Sequence, residues 1–217
     1  VLDAGCGPGN TSCLIASQYG SEVIGVDISP VMIANAANKA DDLGLSDRVK
    51  FQTADILDLP FPEDDFDLVI AESVLTPLPG DKKSALKEFS RVLRAGGYLA
   101  INESVLSPGA PEYLHQAMAE HPAVQGYFTS QTLEDIIKSQ GFSIVVHQEF
   151  TISDSPSALK EIGVKNLLLF MIRDYPKILW KLLMDKRFRR ATQIDNQITK
   201  VGAEYMKYSL ILCQKPL

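Results

Sequence analysis

Short apolar, β-prone stretches alternate with segments of helical spacing through the first two thirds of the chain. The strand-like runs are 1–3, 22–27, 49–54, 66–71, 98–103 and 142–149; the helical ones are 11–19, 30–43, 82–93 and 132–140. Gly20, Gly44, the pair Gly96–Gly97 and Gly141 stand just past the ends of those helices, where a left-handed cap is expected. Strands separated by helices predict an α/β domain with a Rossmann-like, doubly wound, mostly parallel sheet. A last apolar run, 208–214, reads as an antiparallel strand returning beside 142–149. Two stretches, 104–130 and 153–207, exceed what a minimal sheet of this kind needs and are expected to form helical lid insertions over a substrate site. No repeat and no Pro/Gly/Ser-rich linker divides the chain, so 1–217 reads as one domain.

Composition narrows the partners. A formal net charge of −6 and a pI near 5.1 argue against a nucleic-acid footprint, which needs a clustered positive field, and favour a small organic ligand. Cys6, Cys13 and Cys213 are scattered and odd in number, and the three histidines, His115, His121 and His147, have no partner at ligand spacing. That pattern implies no metal site and fits a reducing cytoplasm. The longest apolar run, 167–172, has six residues, against about 20 for a membrane-spanning helix. The chain opens at Val1 on its first strand with no signal-peptide pattern, which raises the expectation of a preceding segment.

The chemistry concentrates at two strand ends. After Val1-Leu2-Asp3-Ala4 comes the turn Gly5-Cys6-Gly7-Pro8-Gly9-Asn10, whose small residues let backbone approach a ligand closely before a helix begins. Asp27 closes the second strand about 20 residues further on, where a carboxylate can accept from both hydroxyls of a ribose. Together these predict an adenosine-bearing cofactor. Asp3 discriminates among such cofactors: beneath a pyrophosphate it would set like charges together, whereas a sulfonium or ammonium suits it.

Asp3 to Gly9, Asp27-Ile28-Ser29 with Met32, 53–61, 66–70 and 86–103 resemble, in order and spacing, the successive motifs of class I S-adenosylmethionine-dependent methyltransferases. The likeness is to the ubiquinone/menaquinone-biosynthesis-like small-molecule group, over about residues 1–103 and again at 130–150. The resemblance implies S-adenosylmethionine as cofactor. Gly5 and Gly7 would line its methionine part, with Asp3, Cys6, Gly9 and Asn10 completing the loop. Asp27 would hold the ribose beside Ser29, Ile28 and Met32 would pack on the adenine, Asp55 would meet its amino group and Ile56 its other face. Glu72 and Ser73 would stand beside the sulfonium. The sequence departs from the group's commonest form, since 72–78 has no histidine, and it lacks the Asn/Asp-Pro-Pro-aromatic segment of enzymes that clamp a flipped base.

Methyl transfer from a sulfonium is an in-line displacement, helped most by alignment in a dry pocket, with a base needed only for a protonated acceptor. Glu72 and Glu103 are the carboxylates expected nearest the acceptor, each either a base or a pocket-forming group, with Tyr113 and His115 as further candidates. His121 and His147 read as structural. Segment 176–190 interleaves six Lys and Arg residues with apolar ones, which fits a lid helix, an interfacial helix contacting a membrane, or a homodimer contact. The rival readings are a catalytically silent S-adenosylmethionine-binding module, a NAD-dependent oxidoreductase and an aminopropyltransferase.

Overall fold

The computed structural model describes residues 1–120, 126–151 and 204–217. Seven strands form one sheet in the order β3-β2-β1-β4-β5-β7-β6. They are β1 (Leu2–Ala4), β2 (Val23–Asp27), β3 (Val49–Thr53), β4 (Phe66–Glu72), β5 (Leu93–Leu106), β6 (Ser143–Thr151) and β7 (Met206–Gln214). The helices are α1 (Asn10–Tyr19), α2 (Pro30–Asp42), α3 (Lys82–Val92), α4 (Glu112–Glu120) and α5 (Ser130–Ser139). The central strands pair in parallel, and β7 runs antiparallel to both β5 and β6. The predicted class therefore holds, with β7 inserted between β5 and β6.

Leu2, Ala4, Val69 and Ala71 on the two middle strands are fully buried, as expected where helices cover both faces of a parallel sheet. The helix α3 lays Ala85, Leu86, Phe89 and Val92 into that core, and α5 adds Leu133 and Ile137. Helix starts follow their caps: Ser29 precedes Pro30 and accepts from the Met32 amide, Asp81 accepts from Lys83, and Thr129 and Thr132 form a reciprocal capping box.

Two local expectations are corrected. The glycines 96–97 do not cap α3: the helix ends at Val92, Leu93 is already extended and pairs with Phe66, and the Gly96 amide donates to the carbonyl of Lys215. The buried Leu93 turns the chain into the sheet before any left-handed cap is needed. The strand β5 also runs past 103 to Leu106, and part of 104–130 is α4, seated on Leu106 through Leu114 and Met118. Segment 176–190, most of 153–207, and His121 lie outside the described residues.

Candidate cofactor site

Carboxyl ends of parallel strands converge where chain order reverses between β1 and β4, which is where open α/β sheets bind ligands. Two adjoining cavities open there. The first, of about 400 Å³, is lined by Asp3, the 5–8 loop, Asn10, Thr11, Glu72 and Ser73. The second, of about 300 Å³, is lined by Asp27, Ile28, 54–56 and the loop after β4, including Val74, Pro77, Leu78 and Pro79. Gly5 and Ser73 border both.

The glycine loop is built for close approach. Gly5 has φ +78°, and a Cβ there would lie 2.3 Å from Val74 Cγ1. Gly7 has φ +51° and nothing within 4 Å of where its Cβ would stand, so its bare backbone forms a cradle in the wall of the first cavity. Gly9 (φ +76°) is the N-cap of α1. Asp27 binds the loop to its own strand: Oδ2 accepts the Gly7 amide at 3.0 Å and Oδ1 the Ser29 amide at 2.8 Å. Replacing Gly5 with alanine is expected to cost about 2 kcal/mol of stability from the left-handed backbone and the Val74 clash, read as a lowered Tm.

Asp3 is 2% exposed and its Oδ2 accepts from the Ser12 hydroxyl. Burial drives its pKa up to about 6; the Ser12 bond opposes this, while the negative charges of Glu72 and Asp27 add to it. Burial likewise pushes the Cys6 thiol up to about 12, so Cys6 contributes shape rather than a thiolate. Glu72 is exposed, and its carboxylate is held by the Thr11 hydroxyl at 2.9 Å and the Asn102 amide at 3.2 Å.

The other predicted residues divide. Ile28 (70% exposed), Asp55 and Ile56 line the second cavity, Asp55 accepting the Leu57 amide on one oxygen. Ser29 and Met32 form the N-terminal cap of α2, and neither borders either cavity. Asn10 lines the first and accepts from Lys39. Glu103 borders neither cavity: it is fully buried, and its oxygens take the Leu75 amide, the Thr76 amide and the Thr76 hydroxyl. Tyr113 and His115 border neither cavity; His115 Nδ1 is bonded to the Tyr127 hydroxyl at 2.8 Å. His147 holds Glu134 and Ser209 through its two ring nitrogens.

Thr11, Ser12, Asn102 and the wall 74–79 were not anticipated. The loop's apolar residues carry no polar signature. Asn102 and Glu103, however, follow directly on Ile101, and Glu103 shares the buried phase of Ile101 and Val105, which marks it as a carboxylate needing internal donors.

Comparison with known proteins agrees with this geometry. A family described as "Methyltransferase domain" matches residues 1–162. The chain is 38% identical over 106 residues to methyltransferase GfsG of Streptomyces halstedii, covering 49% of this chain and 38% of that one. It is 26% identical over 234 residues to the chloroplastic tocopherol O-methyltransferase of Arabidopsis thaliana, covering all of this chain and 63% of that one. It thus spans less than two thirds of either relative. The crystal structure of the cyclase SpnF superposes with a TM-score of 0.76 at 24% identity, over all of this chain and 74% of that one.

Proposed function

We propose that this chain, which belongs to the methyltransferase-domain family, binds S-adenosylmethionine across the two adjoining cavities and passes its methyl group to a small organic acceptor. The observation that carries this reading is the charge of the wall. Asp3, Asp27, Asp55 and Glu72 line the cavities, and among the described residues no Lys or Arg does. Each phosphate charge brought within about 5 Å of one of these carboxylates would cost about 3 kcal/mol at an effective dielectric of about 20. A dinucleotide is disfavoured on that ground, and a cationic ligand is favoured.

The residues present fit such a cofactor. The Gly7 cradle admits a chain end without steric conflict, and the Asp3–Glu72 pair supplies negative field beside it. Asp27 keeps lone pairs toward the cavity while its loop bonds hold it still, and Ile28 and Ile56 offer apolar surface for a purine. When bound, S-adenosylmethionine supplies an electrophilic methyl on a cationic sulfur that leaves as a neutral thioether. The chain's part is then alignment and exclusion of water by the 73–79 wall. Glu72, cavity-lining and exposed, is the group placed to hold a proton released by an acceptor; Glu103 is enclosed and is not.

We extend the proposal to an amphiphilic acceptor, on the support of the similarity to a tocopherol O-methyltransferase and of the basic, apolar sequence of 176–190, suited to a membrane surface. A homodimer is the competing use of that segment. The three unpaired, buried cysteines support a cytoplasmic setting. Because a cyclase carries the same fold, fold alone does not decide the reaction. The test is turnover: methyl-labelled S-adenosylmethionine incubated with phenols, amines and prenylated rings is expected to yield labelled product and S-adenosylhomocysteine in equal amounts. Binding with no transfer to any acceptor would instead support the silent binding module.

A further inference from the structure

The loop 73–79 walls the second cavity and reaches the first at Ser73; within it Leu75 is fully buried in the core and its carbonyl accepts the Leu78 amide at 3.3 Å. Ser73 holds φ +54°, a left-handed conformation that a non-glycine residue keeps only when its surroundings impose it. Two consecutive residues of β5 supply that constraint. Asn102 accepts the Ser73 amide on its carbonyl at 2.8 Å and donates its side-chain amide to Glu72. Glu103, from the buried face of the same strand, takes the Leu75 amide at 2.6 Å, the Thr76 amide at 3.4 Å and the Thr76 hydroxyl at 2.7 Å. At the loop's far end Lys82 donates to the Leu78 carbonyl at 2.7 Å.

Resting on the cofactor reading above, we infer that Glu103 is a positioning residue which, by gripping the backbone of 74–76 from beneath, sets the wall against which cofactor and acceptor are aligned. A carboxylate is the group this task requires. It offers acceptors only, on two oxygens, to three donors in successive residues, and its burial among Ile101, Val105 and Leu75 excludes the water that would otherwise compete for those donors. Glutamine keeps the size but presents an NH2 to a donor, so one side of the grip must open. Thr76 is the complementary half: its hydroxyl adds a bond that valine cannot make and serine can.

The experiment uses the full chain and S-adenosylhomocysteine as probe, with two readouts: calorimetric affinity, and amide hydrogen exchange of 73–79 compared with β1 and α3. Glu103→Gln is expected to weaken binding about tenfold or more and to speed exchange in 73–79 alone. Thr76→Val is expected to give a smaller loss, about threefold, and Thr76→Ser to restore the wild-type values. Glu103→Gln that binds within about twofold of wild type, or exchange that rises equally in β1 and α3, overturns the assignment. If Glu103→Gln does not fold, the threonine pair decides, and a Thr76→Val chain with unchanged affinity and exchange overturns it. Should wild type not bind the probe, the cofactor reading falls, while exchange in the ligand-free Thr76 and Glu103 variants still decides whether the grip exists.

Discussion

An Asp27→Asn chain is expected to bind S-adenosylmethionine about a hundredfold more weakly than wild type, the largest loss of any single substitution at the site. Both oxygens of Asp27 are already engaged, one by Gly7 and one by Ser29. An amide has only one acceptor oxygen, so its NH2 must face one of those N–H donors, and either the glycine cradle or the cap of α2 loses its tie. The same change removes charge from the position where ribose hydroxyls are to be held. Hydrogen bonds to a charged group are worth about 1.5–3 kcal/mol each, so loss of one together with a disordered cradle gives about 3 kcal/mol. Calorimetric titration of both chains checks this, with thermal unfolding to show that the variant retains the sheet. An affinity within a few-fold of wild type would mean that Asp27 braces the loop without touching ligand.

Asp3→Asn is expected to move stability and binding in opposite directions. Asp3 is fully enclosed, and its folded pKa is raised from 3.8 to about 6, chiefly by burial. The ionised form is therefore the one the folded state disfavours. The stability tied to the protonated group is complete below pH about 4 and is lost as pH rises through about 6. Asparagine keeps an acceptor for the Ser12 hydroxyl and carries no charge, so at pH 7 the variant should be more stable by about 2 kcal/mol, with the difference shrinking to nothing between pH 6 and pH 4. Binding should suffer about tenfold, because the buried charge that costs stability is the one that favours a cationic ligand. In wild type, by the same linkage, affinity for S-adenosylmethionine should fall as pH drops below about 6. Denaturant melts and titrations over pH 4–8 test both halves. A variant less stable than wild type at pH 7 would show that the Asp3–Ser12 bond outweighs the buried charge.

Much of this was legible in the sequence because the features are local. Alternation of β and α runs, with Gly20, Gly44 and Gly141 past the helix ends, placed nearly every element. The glycine turn and Asp27 announced the site because close backbone approach and a strand-end carboxylate depend on residue type and spacing alone. What stayed hidden is set by tertiary packing. The position of β7 between β5 and β6 depends on which edge is left to pair, and α4 is defined by its contact with Leu106 rather than by a strong pattern of its own. Glu103 was expected to point toward the acceptor because it stands near a strand end, but strand phase decides which face it takes. In step with Ile101 and Val105, it turns into the core and meets the loop from beneath. The wall 74–79 escaped notice for the opposite reason: Val74, Pro77 and Leu78 look like ordinary loop and core residues until the fold sets them against Gly5 and Asp27.

Whether a wall of carboxylates selects a cationic adenosyl ligand is decided by parallel calorimetric titrations of the wild-type chain with S-adenosylmethionine, S-adenosylhomocysteine and NADH at pH 7.5, roughly 1.5 units above the pKa of about 6 of Asp3, where that carboxyl is almost wholly ionised. Saturable binding of both adenosyl ligands is expected, with S-adenosylmethionine losing affinity in Asp3→Asn, and no detectable binding of NADH. Binding of NADH in preference to S-adenosylmethionine would contradict that selection.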